Sequence, residues 1–208
     1  IPAEAWSATL THRFDTRTIE PGDITLALDV DTGGRSACIA LGAGSLQAPY
    51  VEIVNPGLKA GIGWVPDRLL ELIARWRPKA IGIDPGGPAG ALLGSLLAVL
   101  GEHKIDLDLV HQFTMQELKQ ACGGFLADVE EGRLARAGRR SATGELQGQP
   151  ELDTAVGDAA GRSMADAWIV DRRTATVPVS PLNAALMARF LLPAKPVREK
   201  RKAKVHSF

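Results

Sequence analysis

The chain has 208 residues, 45% of them hydrophobic, which is enough for one domain with a substantial core. Lys plus Arg equals Asp plus Glu at 24 each, so net charge does not announce a nucleic-acid partner. No apolar run approaches the roughly 18 residues that a membrane span requires. Cys38 and Cys122 lie in apolar contexts, and His12, His103, His111 and His206 show no zinc spacing. Reduced, buried thiols in a cytosolic compartment are the expectation.

Residues 1–22 are mixed in character and close on Pro21-Gly22, which predicts an arm or linker. The start has neither a Met nor a signal-peptide pattern, as expected of a fragment of a longer protein. Ile24 to Val30 reads as a strand, with Leu26 and Leu28 on one face and Ala27, Asp29 and Asp31 on the other. Turns at Thr32-Gly33-Gly34 and Gly42 to Ser45 separate it from strands near Ser36 to Leu41 and Tyr50 to Val54, an antiparallel meander.

Leu69, Leu72, Ile73 and Trp76 then follow helical spacing, so Asp67 to Arg77 is predicted helical and Pro78 stops it. Lys79 to Asp84 is a strand, Gly90 to Leu100 a helix, and the alternation of Ile105, Leu107 and Leu109 another strand. Thr114 to Glu117 matches a capping box ahead of the stripe Leu118, Cys122, Phe125, Leu126 and Val129. Arg136 to Gly148 is polar and Gly-containing and reads as a loop. Glu151 to Ala160 is helical, and Ser180-Pro181 starts a helix to about Leu192.

The order is β-β-β-α-β-α-β-α followed by further helices. This is the ribonuclease H-like order, an α/β fold with a central mixed five-stranded sheet flanked by helices. In it the first and fourth strands are neighbours, which sets Asp29 beside Asp84. A carboxylate at the tip of an apolar strand is poorly solvated and needs a cation, an Arg or several hydrogen bonds. Three such acids could bind two Mg²⁺ or Mn²⁺ ions about 4 Å apart and hydrolyse a phosphodiester. Asp31 shares the face of Asp29 and is either a fourth ligand or an Asx-turn residue.

Other acids have duller accounts. Asp153 suits the first turn of a late helix that also carries Asp158, Asp171 is set to pair with Arg172-Arg173, and Asp106 and Asp108 face solvent. The turn Asp84-Pro85-Gly86-Gly87-Pro88-Ala89-Gly90 either presents amides to a phosphate or is a tight strand-to-helix connection. Arg35, Arg133, Arg136, Arg139, Arg140, Arg172 and Arg173 are candidates for tracking DNA. Lys195, Arg198, Lys200, Arg201, Lys202 and Lys204 make a basic end, read as a solvated tail or an arm on phosphates.

Several segments also resemble a known family. They include Leu28-Asp29-Val30-Asp31, Arg75-Trp76-Arg77-Pro78, Ile83-Asp84-Pro85-Gly86-Gly87-Pro88-Ala89-Gly90, Gln120-Ala121-Cys122-Gly123, Asp166-Ala167-Trp168 and Val179-Ser180-Pro181-Leu182. Together they are similar to the C-terminal nuclease domain of tailed-phage terminase large subunits, above all those of actinobacterial phages and prophages. The resemblance spans roughly Ile24 to Leu192. It implies a metal-dependent endonuclease that cuts concatemeric double-stranded DNA during packaging, in the cytoplasm of the host. By motif match Asp29, Asp84 and Asp166 would be the metal ligands. Asp29, central in the sheet, would be shared by both ions.

The resemblance further implies that residues 1–22 lead from an ATPase domain, that 23–193 form the nuclease and that 194–208 are a flexible tail. Its expected partners are DNA, the small terminase subunit, the portal or procapsid and that ATPase, with no membrane and a monomeric isolated domain. Some relatives carry a His before the third acid, where this chain has Ser163-Met164-Ala165. Rival readings are a Holliday-junction resolvase, an ASKHA-type ATPase fragment suggested by Asp29 to Ser36, and a non-enzymatic docking module.

Overall fold

The computed structural model describes residues 1–12, 23–164 and 167–194. Strands β2 (Ile24–Val30), β3 (Ser36–Ser45) and β4 (Ala48–Ile53) form the expected antiparallel meander, and the short β5 (Lys59–Ala60) pairs antiparallel with the start of β3. On the other side of β2 lie β6 (Ala80–Ile83) and then β7 (Val110–Gln112), both parallel to it. The hydrogen-bonded order β4-β3-β2-β6-β7 is the ribonuclease H-like sheet. Two more strands extend it: β8 (Ala135–Arg140) runs parallel to β4, and β1 (Leu10–His12) parallel to β8. Along this path every strand but β3 points the same way, so their carboxyl ends share one edge of the sheet.

Period-two alternation decides which helices cover which face. Leu26, Leu28 and Val30 pack with α2 (Val65–Trp76) and α3 (Gly90–Glu102) in one core cluster. Ala27, with Cys38, Ala40 and Val51, packs on the other face under α4 (Met115–Glu130), α5 (Pro150–Asp158) and α6 (Ser180–Phe190). The α6 side is built of small groups, Ala184, Ala185 and Ala188 over Ala27 and Ala40, so the helix lies close on the sheet. Thr25 Oγ1 donates to the Ala188 carbonyl at 2.6 Å. A Cβ at Gly42 would stand 2.7 Å from that same carbonyl oxygen, hence the glycine.

Several expectations are corrected. The first twelve residues are not a linker: α1 (Ala3–Ala8) buries Trp6, and β1 joins the sheet. Residues 13–22 and the basic end from Lys195 lie outside the described residues. Ile105 to Leu109 is not a strand. Asp106 Oδ1 accepts the Asp108 N–H at 3.0 Å and caps a 3₁₀ turn, Leu107–Leu109, and pairing begins only at Val110. Arg136 to Gly148 is not a loop either. It supplies most of β8 and then β9 (Leu146–Gln147), paired antiparallel. A further hairpin, β10 (Gly161–Met164) with β11 (Ala167–Val170), precedes α6. The capping box of α4 is present, with Thr114 and Glu117 bonding reciprocally.

Strands β4 and β8 pair only at Tyr50↔Ala135 and Val51↔Arg136, and then part. The Gln149 side chain enters the fork. Its Oε1 accepts the Ile53 N–H and its Nε2 donates to the Ile53 carbonyl, both at 2.7 Å.

Candidate functional site

Asp29 is the penultimate residue of β2, on the α6 face, and is fully buried. The parallel register pairs Ala27 with Gly82, and two residues further along each segment stand Asp29, in β2, and Asp84, directly after β6. Asp84 is 9% exposed, and its Oδ1 accepts the Gly86 N–H at 3.0 Å. The glycines after it wrap this carboxylate, since a Cβ at Gly87 would meet Asp84 Oδ2 at 2.6 Å. The Gly86 amide of this turn is therefore directed at Asp84 itself rather than presented to an outside phosphate.

The partner of Asp29 is Arg172. Its Nη2 donates to Asp29 Oδ1 at 2.9 Å, and its Nη1 donates to the Val30 carbonyl at 3.1 Å. Nη1 also lies 2.7 Å from Asp29 Oδ2, but as a charge contact: Oδ2 is buried and has no aligned hydrogen-bond donor. Burial is the largest influence on Asp29 and raises its carboxyl above the ordinary value. Arg172 pulls it down, and the charge of Asp84 adds a small push upward. Burial opposes the Arg172 charge, yet Asp29 and Asp84 together hold the guanidinium more firmly protonated than usual.

The remaining candidates divide. Asp31 Oδ1 accepts the Arg35 N–H at 2.7 Å and the Ser36 N–H at 3.0 Å, four and five residues on, and so ties off the β2–β3 connection without forming the expected Asx-turn. Asp153 binds Trp6 Nε1 and Arg136 Nη1, each at 2.8 Å, away from Asp29. Asp158 accepts from the Thr176 N–H, the Thr176 hydroxyl and the Val177 N–H, and these bonds hold its carboxyl below the usual value, the hydroxyl foremost. Asp166 lies outside the described residues. Among the described residues no group of three His, Cys, Asp or Glu is placed to hold a metal ion.

One acid assigned only to an ion pair comes into view. Asp171 lines the same cavity of about 250 Å³ as Asp84, Gly86, Gly87 and Arg172. It accepts the Arg173 N–H at 3.1 Å, the first cause of its lowered pKa. Its place at the site depends on the β10–β11 hairpin, which the sequence of Gly161 to Val170 does not announce.

The arginines divide as well. Arg35, Arg139, Arg140 and Arg173 are exposed at or near the edge formed by the carboxyl ends of the strands. Arg139 and Arg140 end β8, three strands from Asp29, or roughly 14 Å at the usual strand spacing. Arg136 is buried, stacked 4.3 Å over the Trp6 ring and paired with Asp153. Arg133 precedes β8 and so stands toward the opposite edge, paired with Asp128 and Glu131. Asp128 is a second fully buried aspartate. Its Oδ1 accepts from Arg133 Nη2 at 2.6 Å and Nε at 3.0 Å, and its Oδ2 from Arg189 Nε at 2.5 Å.

The sheet order and the paired strand-end carboxylates define an α/β domain of the ribonuclease H-like class. No protein-family model matches the sequence, and no curated protein does. Solved structures do match. The HK97 bacteriophage large terminase has a TM-score of 0.68 at 12% identity, over 91% of this chain and 43% of that one. The large terminase nuclease from thermophilic phage G20c gives 0.57 at 11%, over 90% and 96%. A mutant nuclease domain of the large terminase subunit gp2 of bacterial virus Sf6, solved with manganese and β-thujaplicinol, gives 0.57 at 16%, over 93% and 99%. The chain thus has the fold of large-terminase nuclease domains and spans less than half of the whole HK97 protein. No helix among the described residues is long and apolar enough to cross a membrane.

Proposed function

We propose that this chain is the nuclease domain of a tailed-phage large terminase, a metal-dependent endonuclease that cuts concatemeric double-stranded DNA in the host cytoplasm. The observation that carries this is the pair Asp29 and Asp84 at the ends of adjacent parallel strands, on a fold shared with terminase nucleases. The donor set suits a hard divalent cation, because carboxylate oxygens are its preferred ligands. Asp29 Oδ2, buried and without an aligned donor, is the oxygen such an ion would complete. Asp29 and Asp84, with a third acid, would hold Mg²⁺ or Mn²⁺, two ions in the complete site. Bound there, the ions supply an activated water and neutralise charge on the phosphodiester.

The chain's own residues do the positioning. The Gly86 N–H fixes one oxygen of Asp84. Arg35, Arg139, Arg140 and Arg173 lie where they can hold backbone phosphates, which sets register on the duplex without reading bases. By motif the third acid is Asp166. A second assignment is Asp171, favoured by its place in the cavity of Asp84. Replacing each by Asn separates them, since only the true ligand abolishes cutting and weakens Mn²⁺ binding together. The expected partners are the small terminase subunit, the portal and the ATPase part of a longer protein.

Plasmid cleavage across Mg²⁺ and Mn²⁺ tests the reading, with Asp29→Asn as control. Nicking by the wild type and none by the variant is the expected result. No nicking even at high Mn²⁺ would sink the enzymatic reading and favour a docking module. Preferential cutting of branched over linear duplex would favour a resolvase.

A further inference from the structure

Asp29 cannot be reached from solvent as it stands. Its side chain is fully buried, while Arg172, with its side chain 20% exposed, covers it. The guanidinium faces both carboxylate oxygens, at 2.9 and 2.7 Å. Two cavities lie either side of it. One, about 110 Å³, is lined by Asp31, Thr32, Arg35 and the segment before α6. The other, about 250 Å³, contains Asp84 and Asp171. Arg172 lines both, so it is the partition between them.

The backbone that carries Arg172 is pinned. The Asp171 N–H donates to the Ala160 carbonyl at 2.8 Å, and Asp158 takes three hydrogen bonds from Thr176 and Val177. With both ends of this connection held, the part free to move is the Arg172 side chain, which has its own route to solvent.

We infer that Arg172 is a tethered cation that closes the carboxylate site: its guanidinium and a divalent ion compete for Asp29, and the ion enters only when Arg172 withdraws. Withdrawal joins the two cavities into one groove passing over Asp29, with Asp31 at one end and Asp84 at the other. The inference rests on the metal-site reading above, and it adds a closed arrangement in which the Arg172 guanidinium occupies Asp29. Arg172 is thus a positioning residue acting through Asp29, and it is not counted among the phosphate-tracking arginines while it is paired.

Two measurements test it, neither of them activity. In wild type, NMR of the arginine side-chain nitrogens in EDTA should show one guanidinium held by pairing, assigned by its absence in Arg172→Gln. Saturating Mg²⁺ should release it. Mn²⁺ affinity, read by electron paramagnetic resonance of the free ion, should tighten about tenfold in Arg172→Gln, a modest coupling between two ligands of one site. Arg172→Lys should lie nearer wild type, and Asp29→Asn combined with Arg172→Gln should lose the gain. Equal or weaker Mn²⁺ binding by Arg172→Gln, or a guanidinium still paired at saturating Mg²⁺, overturns the inference. If the wild type binds the ion through Asp29 with the pair intact, only this inference falls. If Asp29→Asn changes ion binding in neither background, the metal-site reading falls with it.

Discussion

Asp29 and Asp128 are both fully buried carboxylates that face arginine, and they are built for different ends. Asp128 has donors on both oxygens, from Arg133 and Arg189, and ties α4 to α6 and to the turn before β8. Asp29 has one aligned bond to one guanidinium and an acidic neighbour at the end of the next strand. Burial alone therefore does not mark a functional acid. What distinguishes the two is the number of aligned donors and the sign of the nearest second charge. A saturated carboxylate has nothing to offer a cation, whereas an under-coordinated one beside a second carboxylate does.

Substitution should break this contrast most sharply in activity. Asp29→Asn or Asp84→Asn should lower metal-dependent plasmid cleavage by about a hundredfold or more, beyond the usual effect of losing only a supporting group. Asp128→Asn, assayed per folded molecule, should cut at close to the wild-type rate. In stability the order reverses. Asp128→Ala strands the buried Arg189, while Arg133 keeps Glu131, and should cost about 3–5 kcal/mol, seen as a lowered denaturation midpoint, with Mn²⁺ affinity unchanged. Gly42→Ala sharpens the point from the packing side. Its Cβ meets the Thr25 hydroxyl and the Ala188 carbonyl, so a loss of about 1–3 kcal/mol is expected as α6 is pushed from the sheet.

The smallest effect belongs to Asp158. Its folded pKa is depressed, so its contribution is present above the unfolded value of 3.8 and is lost as pH falls through the lower folded value. Asp158→Asn should therefore be less stable than wild type at neutral pH, and the two melting curves should converge in strong acid.

Much of the fold was legible because its signals are local. The alternation in Ile24 to Val30, the helical stripe through Leu69 and Trp76 and the Thr114 capping box each lie within a few residues. Asp29 beside Asp84 followed from strand order alone. What escaped depends on distant partners. Ala135-Arg136-Ala137-Gly138-Arg139-Arg140 has no β-branched or aromatic residue, and it is a strand because β4 and β1 flank it. Trp6 reads as part of a linker until Phe125 and Asp153 are placed near it. Arg172 reads as the partner of Asp171, its neighbour in sequence, whereas its closest carboxylate lies 143 residues away. For the arginines, sequence gives the charge but not which charges are already spent.

The amide of Gln149 stands in for a missing piece of sheet. Where β4 and β8 diverge, Ile53 would leave a bare N–H and carbonyl, the kind of sheet edge onto which a foreign strand can add. One glutamine side chain satisfies both groups and acts as a one-residue strand. The sheet can thus fork to make room for the β8–β9 hairpin without leaving these two backbone groups unpaired.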